Sequence, residues 1–299
     1  MVNGKPLTGF RDKQVAAIKF DKNPDLAIRL PENMKPFHTN QNRLSVATCI
    51  FLLSGCISGF AQNRTMSRAH SHNEYLQQQP FRSAYNHGFG SVEADLFYRN
   101  DSLFVAHEKR EISPDRTFES LYLDPIIRIC RENNGNIAAD SSRRLQLLID
   151  MKTPYGETLA LLVRKLAPYR EFLSPAGKVK IVVSGNTPPP SAFGQYPDYI
   201  FFDGRPEIDY PAPALARLGL ISQTFRKYSN WDGDGQIPAE DLAKLQKIVG
   251  EAHKKGKPFR FWASPDNKNT WKTLLMIGAD FLNTDKIEEL SAFLAAPGN

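Results

Sequence analysis

Two histidines stand one residue apart in the segment RAHSHNEY, residues 68–75, and the whole chain contains only six histidines. His70 and His72 come at the end of a short apolar run, which predicts that they lie at the end of a β-strand. An imidazole has a pKa of about 6.5, so it can take or give a proton near neutral pH. The pair therefore marks a candidate catalytic site.

Carboxylates occur inside two later apolar runs. Glu93 and Asp95, in SVEADLFY, are spaced so that both side chains point to the same side of a strand. Asp150, at the end of LQLLID, is followed at the same spacing by Lys152. Unpaired acids inside apolar strands are costly, and oxygen ligands suit Mg²⁺ or Ca²⁺ better than zinc. The sequence predicts one divalent cation, Mg²⁺ or Ca²⁺, held by these three carboxylates.

Short β-rich runs alternate with helical patterns after residue 65. The helical patterns cover 80–88, 118–133, 157–173, 212–217, 239–255 and 268–277. The eight β-runs are 66–70, 91–98, 145–151, 180–185, 199–204, 219–225, 259–264 and 280–285. Eight such runs alternating with helices predict an α/β fold of one domain, a (β/α)₈ TIM barrel with its chemistry at the C-terminal ends of the strands.

One segment departs from the simple alternation. DLFYRNDSLFVAH, residues 95–107, has the pattern of a strand, an Asn-Asp turn and a second strand. It predicts a β-hairpin inserted after strand two of the barrel. The hairpin would return the chain to His107, beside strand two.

Four motifs, AHSHNEY, SVEADLF, LFVAHE and LLIDMK, occur in this order, and FRFWASPD and FLNTDK follow near the end. In these motifs the chain resembles the superfamily of glycerophosphodiester phosphodiesterases and phosphatidylinositol-specific phospholipase C-like phosphodiesterases, which are TIM barrels. The resemblance implies His70 and His107 as an acid/base pair. It also implies Glu93, Asp95 and Asp150 as metal ligands, with Lys152 near the phosphate. The sequence lacks the Arg that follows the first histidine in glycerophosphodiesterases, which leaves the headgroup open.

Three further residues are candidates for binding the substrate. His72 would bind substrate or orient a ligand, and Asn283 would hydrogen-bond the substrate or hold the histidines of strand one. Trp262, on strand seven, would line the pocket because relatives carry aromatic residues there, with barrel core as the alternative. The loop 230–241 matches a calcium-binding EF-hand loop at several positions, but it also fits an ordinary Gly-rich loop before a helix.

These residues predict a metal-dependent phosphoric diester hydrolase that cleaves glycerophosphodiesters or phospholipid-like phosphodiesters. A cation and a lysine would stabilise negative charge on the phosphate oxygens, while two imidazoles exchange protons with the attacking and leaving groups. One alternative is a His-x-His amidohydrolase-type metal hydrolase, which needs histidines on later strands that this chain lacks. The other is a non-catalytic barrel that binds lipid or carbohydrate, which has no need of an acid/base pair.

The N-terminal region carries a different signal. Residues 44–60, LSVATCIFLLSGCISGF, form an uncharged apolar run with basic residues before it. This pattern predicts a signal peptide over 34–61, a non-folded leader over 1–33 and the phosphodiesterase domain over 62–299, with a single membrane anchor as the alternative. The tetrapeptide 53–56 resembles a bacterial lipobox, which leaves a lipid anchor or peripheral membrane contact open.

The composition predicts where such a protein would work and with what. An exported bacterial protein is expected, in periplasmic, outer-membrane lipoprotein or secreted form. Only Cys130 would remain after cleavage, so no internal disulfide is expected. The net charge of +6 comes partly from the leader, and no basic-aromatic stripe follows it. We expect a monomer that acts on a small-molecule or lipid phosphodiester and binds no nucleic acid.

Overall fold

Eight parallel strands curve into a barrel in the part of the chain that the computed structural model describes, residues 66–296. Each strand pairs with the next along the barrel, and a parallel bridge between Arg260 and Phe281 joins the last two. The prediction of a (β/α)₈ TIM barrel is confirmed. The barrel strands are β1 (Ala69–Ser71), β2 (Ser91–Arg99), β4 (Leu145–Met151), β5 (Val179–Gly185), β6 (Ile200–Gly204), β7 (Leu218–Thr224), β8 (Phe259–Trp262) and β9 (Leu282–Thr284).

Helices between the strands cover the outside of the barrel. In the longest one, Leu245, Ile248, Val249 and Ala252 repeat at helical spacing and are buried. These side chains join the main apolar core, which fills the space between sheet and helices. No helix within residues 66–296 has the length and apolar character to cross a membrane. The helices are α1 (Arg82–Asn86), α2 (Asp124–Glu132), α3 (Tyr155–Leu166), α4 (Ala212–Ala216), α5 (Ala239–Lys254), α6 (Lys268–Met276) and α7 (Ile287–Ala295).

A β-hairpin extends β2 beyond the barrel. Strand β3 (Ser102–Val105) pairs antiparallel with β2, and Leu96 lies opposite Val105. Asn100 and Asp101 connect the two strands with positive φ angles of 49° and 55°. Two consecutive left-handed residues match the twist of a tight hairpin, and Asn and Asp adopt that conformation more readily than most residues. The predicted hairpin is therefore confirmed, and it brings His107 back to the C-terminal end of β2.

The inside of the barrel is unusually polar. Every second residue of a strand faces inward, so β2 directs Ser91, Glu93 and Asp95 into the barrel. Only a small cluster of fully buried apolar residues, Leu148, Val182 and Leu220, lies apart from the main core. The charged side chains above this cluster must therefore pair with one another or with a ligand.

The segments predicted as leader and signal peptide, 1–33 and 34–61, lie outside the described residues.

Candidate active site

Three carboxylates from neighbouring strands converge at the C-terminal end of the barrel. Glu93 and Asp95 lie on β2 and Asp150 on β4, and one oxygen from each lies within 4.8 Å of the others. The parallel register places Asp95 directly beside Asp150. Glu93 and Asp95 are buried, where repulsion between like charges is strong. An all-oxygen set with this spacing fits a hard divalent cation.

Lys152 lies directly beside this carboxylate group. Its Nζ is 2.9 Å from Oδ2 of Asp95 and also bonds to Asp150. Burial raises the pKa of Asp95 to about 6, and the Glu93 charge adds to the rise. Burial alone would lower the pKa of Lys152, but the two aspartates raise it, so the lysine is a permanent cation. Lys152 thus places a fixed positive charge beside Asp95 and Asp150.

His70 is completely buried beneath the carboxylates. Its Nδ1 lies 2.7 Å from Oγ of Ser91, and its Nε2 lies 2.8 Å from Oε2 of Glu93. Burial and the nearby Arg260 guanidinium lower the pKa of His70 to about 4. The imidazole is therefore neutral at physiological pH and fixes the orientation of the Glu93 carboxylate.

Arg260, on β8, completes this buried network. Its Nη1 donates to Oε2 of Glu93 at 2.7 Å and to Oδ1 of Asn283 at 3.1 Å, and it also contacts His70. Burial alone would raise the pKa of Glu93, but Arg260 and His70 hold it well below its usual range. Sequence analysis did not single out this arginine. Its signal was a charged residue at an inward position of the apolar strand FRFW, two residues before Trp262.

His107 lies at the outer edge of the same carboxylate group. Its Nδ1 is 3.6 Å from Oδ2 of Asp95, and half of its side chain is exposed. The hydroxyl of Tyr75 lies 3.2 Å from the same nitrogen and donates to Asp95 at 2.8 Å. The prediction that the hairpin brings His107 to strand two is thus confirmed. Tyr75, the last residue of HSHNEY, was not predicted to take part.

His72 follows β1 and faces the opening of the barrel. Its Nδ1 lies 2.8 Å from Oδ1 of Asp285, which follows β9. Burial alone would lower the pKa of His72, but the bond to Asp285 raises it. A carboxylate bonded to one imidazole nitrogen fixes the orientation of the ring and therefore the direction in which the other nitrogen points. Unlike His70, which is completely buried, His72 borders the open space at this end of the barrel.

A cavity of about 290 Å³ joins these residues at the C-terminal mouth of the barrel. Trp262 lines it with 37% of the residue exposed, so its ring is not part of the barrel core. Three other predicted residues contact this lining, because His70 bonds to Glu93, Asp95 to Lys152 and Asn283 to Arg260. His107 is connected to it through Asp95. Among the predicted residues, the lining includes His72, Glu93, Asp150, Lys152 and Trp262; the others are Ser184, Gly185, Asp203, Arg205 and Arg260.

The far wall of the cavity is built on a buried aspartate. Oδ2 of Asp203 accepts bonds from Ser184 at 2.8 Å and Ser222 at 2.7 Å, and lies 2.8 Å from Arg205. Strands β5, β6 and β7 therefore present hydroxyls, one acid and one arginine to the cavity, and none of them carries a histidine. The metal ligands that an amidohydrolase needs on these strands are missing.

The loop 230–241 does not gather metal ligands. Asn269 donates to the carbonyls of Gly233 and Gly235 at 3.0 and 2.8 Å, and Asp232 accepts from the backbone of Asp234. Within residues 66–296 the only group of three acidic, histidine or cysteine side chains close enough to share an ion is the one at Glu93, Asp95 and Asp150. The loop is held instead by bonds to α6 and within itself.

Comparison with known proteins agrees with this fold. Residues 59–203 match the family described as AIM6-like phosphodiesterase domain, and residues 258–288 match the glycerophosphoryl diester phosphodiesterase family. The two matches cover both groups of motifs and confirm the predicted recognition. The chain is thus a TIM barrel whose sequence is similar to phosphodiesterase families in two segments, at its first strands and near its C-terminus.

Its curated relatives are fungal. The chain is 25% identical to the altered inheritance of mitochondria protein 6 homolog of Arthroderma benhamiae, over 75% of this chain and 82% of that protein. It is 28% identical to altered inheritance of mitochondria protein 6 of Eremothecium gossypii, over 76% of this chain and 69% of that protein. A solved glycerophosphodiester phosphodiesterase from Parabacteroides distasonis aligns with 76% of this chain and 96% of its own, at 13% identity and a TM-score of 0.47.

The prediction of an exported bacterial protein is wrong. The relatives are fungal proteins named for the inheritance of mitochondria, not exported bacterial proteins. An apolar run with a basic flank has the physical properties that membrane insertion requires, but those properties do not identify an organism or a compartment. The lipobox-like tetrapeptide misled in the same way, because four residues match by chance in many apolar segments.

Proposed function

We propose that this protein is a metal-dependent phosphodiesterase that cleaves glycerophosphodiesters or phospholipid-like phosphodiesters. The observation that carries the proposal is the convergence of Glu93, Asp95 and Asp150 within 4.8 Å, at the C-terminal mouth of a phosphodiesterase-like barrel. Three acids at one point repel one another, and a divalent cation with oxygen ligands would remove that repulsion. Mg²⁺ and Ca²⁺ are the candidate ions.

The bound cation would polarise a phosphate oxygen and neutralise negative charge on the non-bridging oxygens, which makes the phosphorus easier to attack. Lys152 supports the same task, because Asp95 and Asp150 hold its Nζ at the cation site. Arg260 and Arg205 line the cavity from other strands and add two further donors for phosphate oxygens. These cations are fixed before substrate arrives, which is what stabilisation of a charged transition state requires.

We propose His70 and His107 as the acid/base pair. They lie on different sides of the carboxylate group, one in contact with Glu93 and the other near Asp95. One histidine would accept the proton of the attacking hydroxyl, and the other would protonate the leaving oxygen. Opposite placement suits attack in line with the leaving group.

His72 is a second candidate for the strand-one position. It lines the cavity and is oriented by Asp285, whereas His70 is fully buried. The two assignments predict different losses. If His70 also positions Glu93, then His70→Ala lowers both turnover and cation affinity. If His72 exchanges the proton, then His72→Ala lowers turnover and leaves cation affinity unchanged.

The dimensions of the cavity support a substrate with a small headgroup. About 290 Å³ lies at the lower limit of pockets that enclose small ligands, so it would hold a phosphate and a headgroup such as glycerol. The acyl chains of a phospholipid would remain outside, where the exposed edge of Trp262 could contact them. His72, Trp262 and Asn283 are therefore proposed to bind substrate.

The test is a screen of metal-depleted protein with Mg²⁺, Ca²⁺ or Mn²⁺. The substrates are bis-p-nitrophenyl phosphate and several glycerophosphodiesters. We expect turnover that requires the cation and falls by about 10²–10⁴-fold in His70→Ala and His107→Ala. His253→Ala is the matched control, because His253 is exposed on α5 and pairs with Asp280. Equal turnover in the catalytic variants and the control would contradict the assignment of the acid/base pair.

The same screen separates the enzyme from a binding barrel. A non-catalytic protein would bind the cation and the phosphodiester without turning it over with any ion. In that case, replacing His70, His107 or Lys152 would change the affinity for the phosphodiester only through the change in charge. Measuring binding and turnover on the same samples distinguishes the two.

A further inference from the structure

A second cavity lies at the opposite, N-terminal mouth of the barrel. Its volume is about 620 Å³, compared with about 290 Å³ for the cavity at the candidate active site. Residues at the beginnings of β4 and β5 form much of the wall, and Pro258 and Phe281 give it an apolar part. Neither the fold nor the proposed chemistry requires an open space of this size here, since catalysis in such barrels takes place at the other end.

The two cavities are separate. We call the cavity at the N-terminal mouth the basal cavity and the one at the candidate active site the upper cavity. Strand β5 directs Lys180, Val182 and Ser184 inward. Lys180 lies in the wall of the basal cavity and Ser184 in the wall of the upper one. Ser184 lies four positions further along the strand than Lys180, a rise of about 13 Å. Val182 packs between them with Leu148 and Leu220 in a fully buried apolar cluster. The basal cavity is therefore not an extension of the active site.

Charge in the basal cavity is of one sign. Arg143, Arg144, Lys178 and Lys180 line it, and no acidic residue within the described part of the chain does. Nζ of Lys180 donates to the carbonyl of Gly219 at 2.8 Å and lies 5.3 Å from the ring centroid of Phe201, which leaves a donor for a ligand. Arg143 and Arg144 precede β4, while Lys178 and Lys180 lie at the start of β5, so the cations come from two neighbouring strands.

Lys257 adds a further positive charge near Lys180. Its Nζ donates to the carbonyl of Leu218 at 2.9 Å. Within residues 66–296, no carboxylate lies within ion-pair distance of Lys180 or Lys257. Burial and the charge of Lys257 lower the pKa of Lys180 to about 8. Partly buried cations without a counter-charge are costly, and a bound anion would remove that cost.

We propose that the basal cavity binds a phosphate-bearing anion. Two lysines supply compact charges, and Arg144 supplies a planar group of donors that pairs with phosphate oxygens. Arg143 adds positive charge, although its Nη2 already donates to the carbonyl of Tyr85 at 2.7 Å. A single carboxylate would leave most of these donors unused. Pro258 and Phe281 provide room for an apolar part of the ligand, so both a soluble phosphate compound and a lipid headgroup share the required chemistry.

The test uses the full chain, metal-depleted and kept in chelator, with pyrophosphate and inorganic phosphate as probes in calorimetry. We expect Lys180→Met to weaken binding of pyrophosphate about tenfold, since it removes one charge-assisted hydrogen bond. Lys178→Gln, at the rim, gives a second measurement if the buried substitution prevents folding. Lys247→Gln is the matched control, because Lys247 is exposed on α5.

Lys152→Met separates this proposal from the proposed function. Because Lys152 lines only the upper cavity, this variant should lose turnover and keep its affinity for pyrophosphate. Affinity that is unchanged in both Lys180→Met and Lys178→Gln, or lost in Lys152→Met alone, would overturn the basal site. Turnover can be absent in all proteins without affecting this result.

Vesicles of phosphatidylcholine, with and without phosphatidate, identify the source of the phosphate. Co-sedimentation that needs phosphatidate and is lost in Lys180→Met would support a lipid headgroup. Binding of pyrophosphate in solution, without co-sedimentation, would support a soluble ligand. Absence of both would refute the proposal.

Discussion

Replacing Asp95 by asparagine tests whether the three carboxylates form a cation site. Asp95 is buried, and its pKa in the fold is about 6, compared with an ordinary value of 3.8. That difference corresponds to about 3 kcal/mol by which the charged form destabilises the cation-free protein above pH 6. The pKa already reflects the favourable contact with Lys152, and asparagine is a neutral isostere. Asp95→Asn should therefore stabilise the cation-free protein by up to about 3 kcal/mol at pH 7.

The pH dependence gives the sign of the effect. A carboxyl group whose pKa is raised in the fold causes no loss of stability below its unfolded pKa. The loss grows as pH rises through the window from 3.8 to about 6 and is complete above it. The difference in unfolding free energy between Asp95→Asn and wild type should thus be largest at pH 7 and vanish near pH 4. Urea denaturation in chelator across this range measures it.

A divalent cation should reverse the order of stability. At about a hundredfold excess over its Kd, a cation that binds only the folded state stabilises wild type by about 2.7 kcal/mol. Asp95→Asn lacks one ligand and should respond far less. Asp198→Asn is the control, because Asp198 is exposed and makes only a long contact with Arg170. Two results would refute the reasoning. One is that Asp95→Asn is less stable than wild type in chelator at pH 7, and the other is that the cation stabilises it as much as it stabilises wild type.

Three other substitutions test the parts that support the site. Arg260→Met leaves Glu93 buried without its partner, so it should cost about 3–5 kcal/mol in chelator, with partial recovery on adding a cation, as urea denaturation would show. Gly185→Ala forces a side chain onto Asp150 at a φ of +71°, so it should cost about 1–3 kcal/mol and weaken cation binding in calorimetry. Trp271→Ala should cost about 3–5 kcal/mol in the core and leave cation affinity unchanged. An unchanged cation affinity in Gly185→Ala would contradict the placement of Asp150.

The strands were predictable because parallel strands buried on both faces are nearly continuous apolar runs. The predicted run 145–151 coincides with β4, and the other runs differ from their strands mainly at the ends. Strand β1 begins at Ala69, three residues after the start of the predicted run, because pairing with β2 and β9 involves only Ala69, His70 and Ser71. Helix α7, Ile287–Ala295, was not predicted, although Ile287, Leu290 and Leu294 follow helical spacing.

The site was predictable only where its residues are close in sequence or stand out by type. Glu93 and Asp95 share one strand, and the hairpin fixes the position of His107 relative to them. Arg260 was not predictable, because its partner Glu93 lies 167 residues away and only closure of the barrel brings them together. The same holds for Asp203, whose hydroxyl donors come from the strands on either side.

The charges around the upper cavity favour a phosphodiester over a phosphomonoester. Glu93, Asp95 and Asp150 oppose Lys152 and Arg260, while the neutral His70 contributes no charge and Asp203 is balanced by Arg205. The site alone is therefore negative by one charge and would repel any phosphate. A divalent cation would change this to one positive charge, which a phosphodiester monoanion would neutralise. A phosphomonoester dianion would leave an excess negative charge in a largely buried space, where uncompensated charge is most costly.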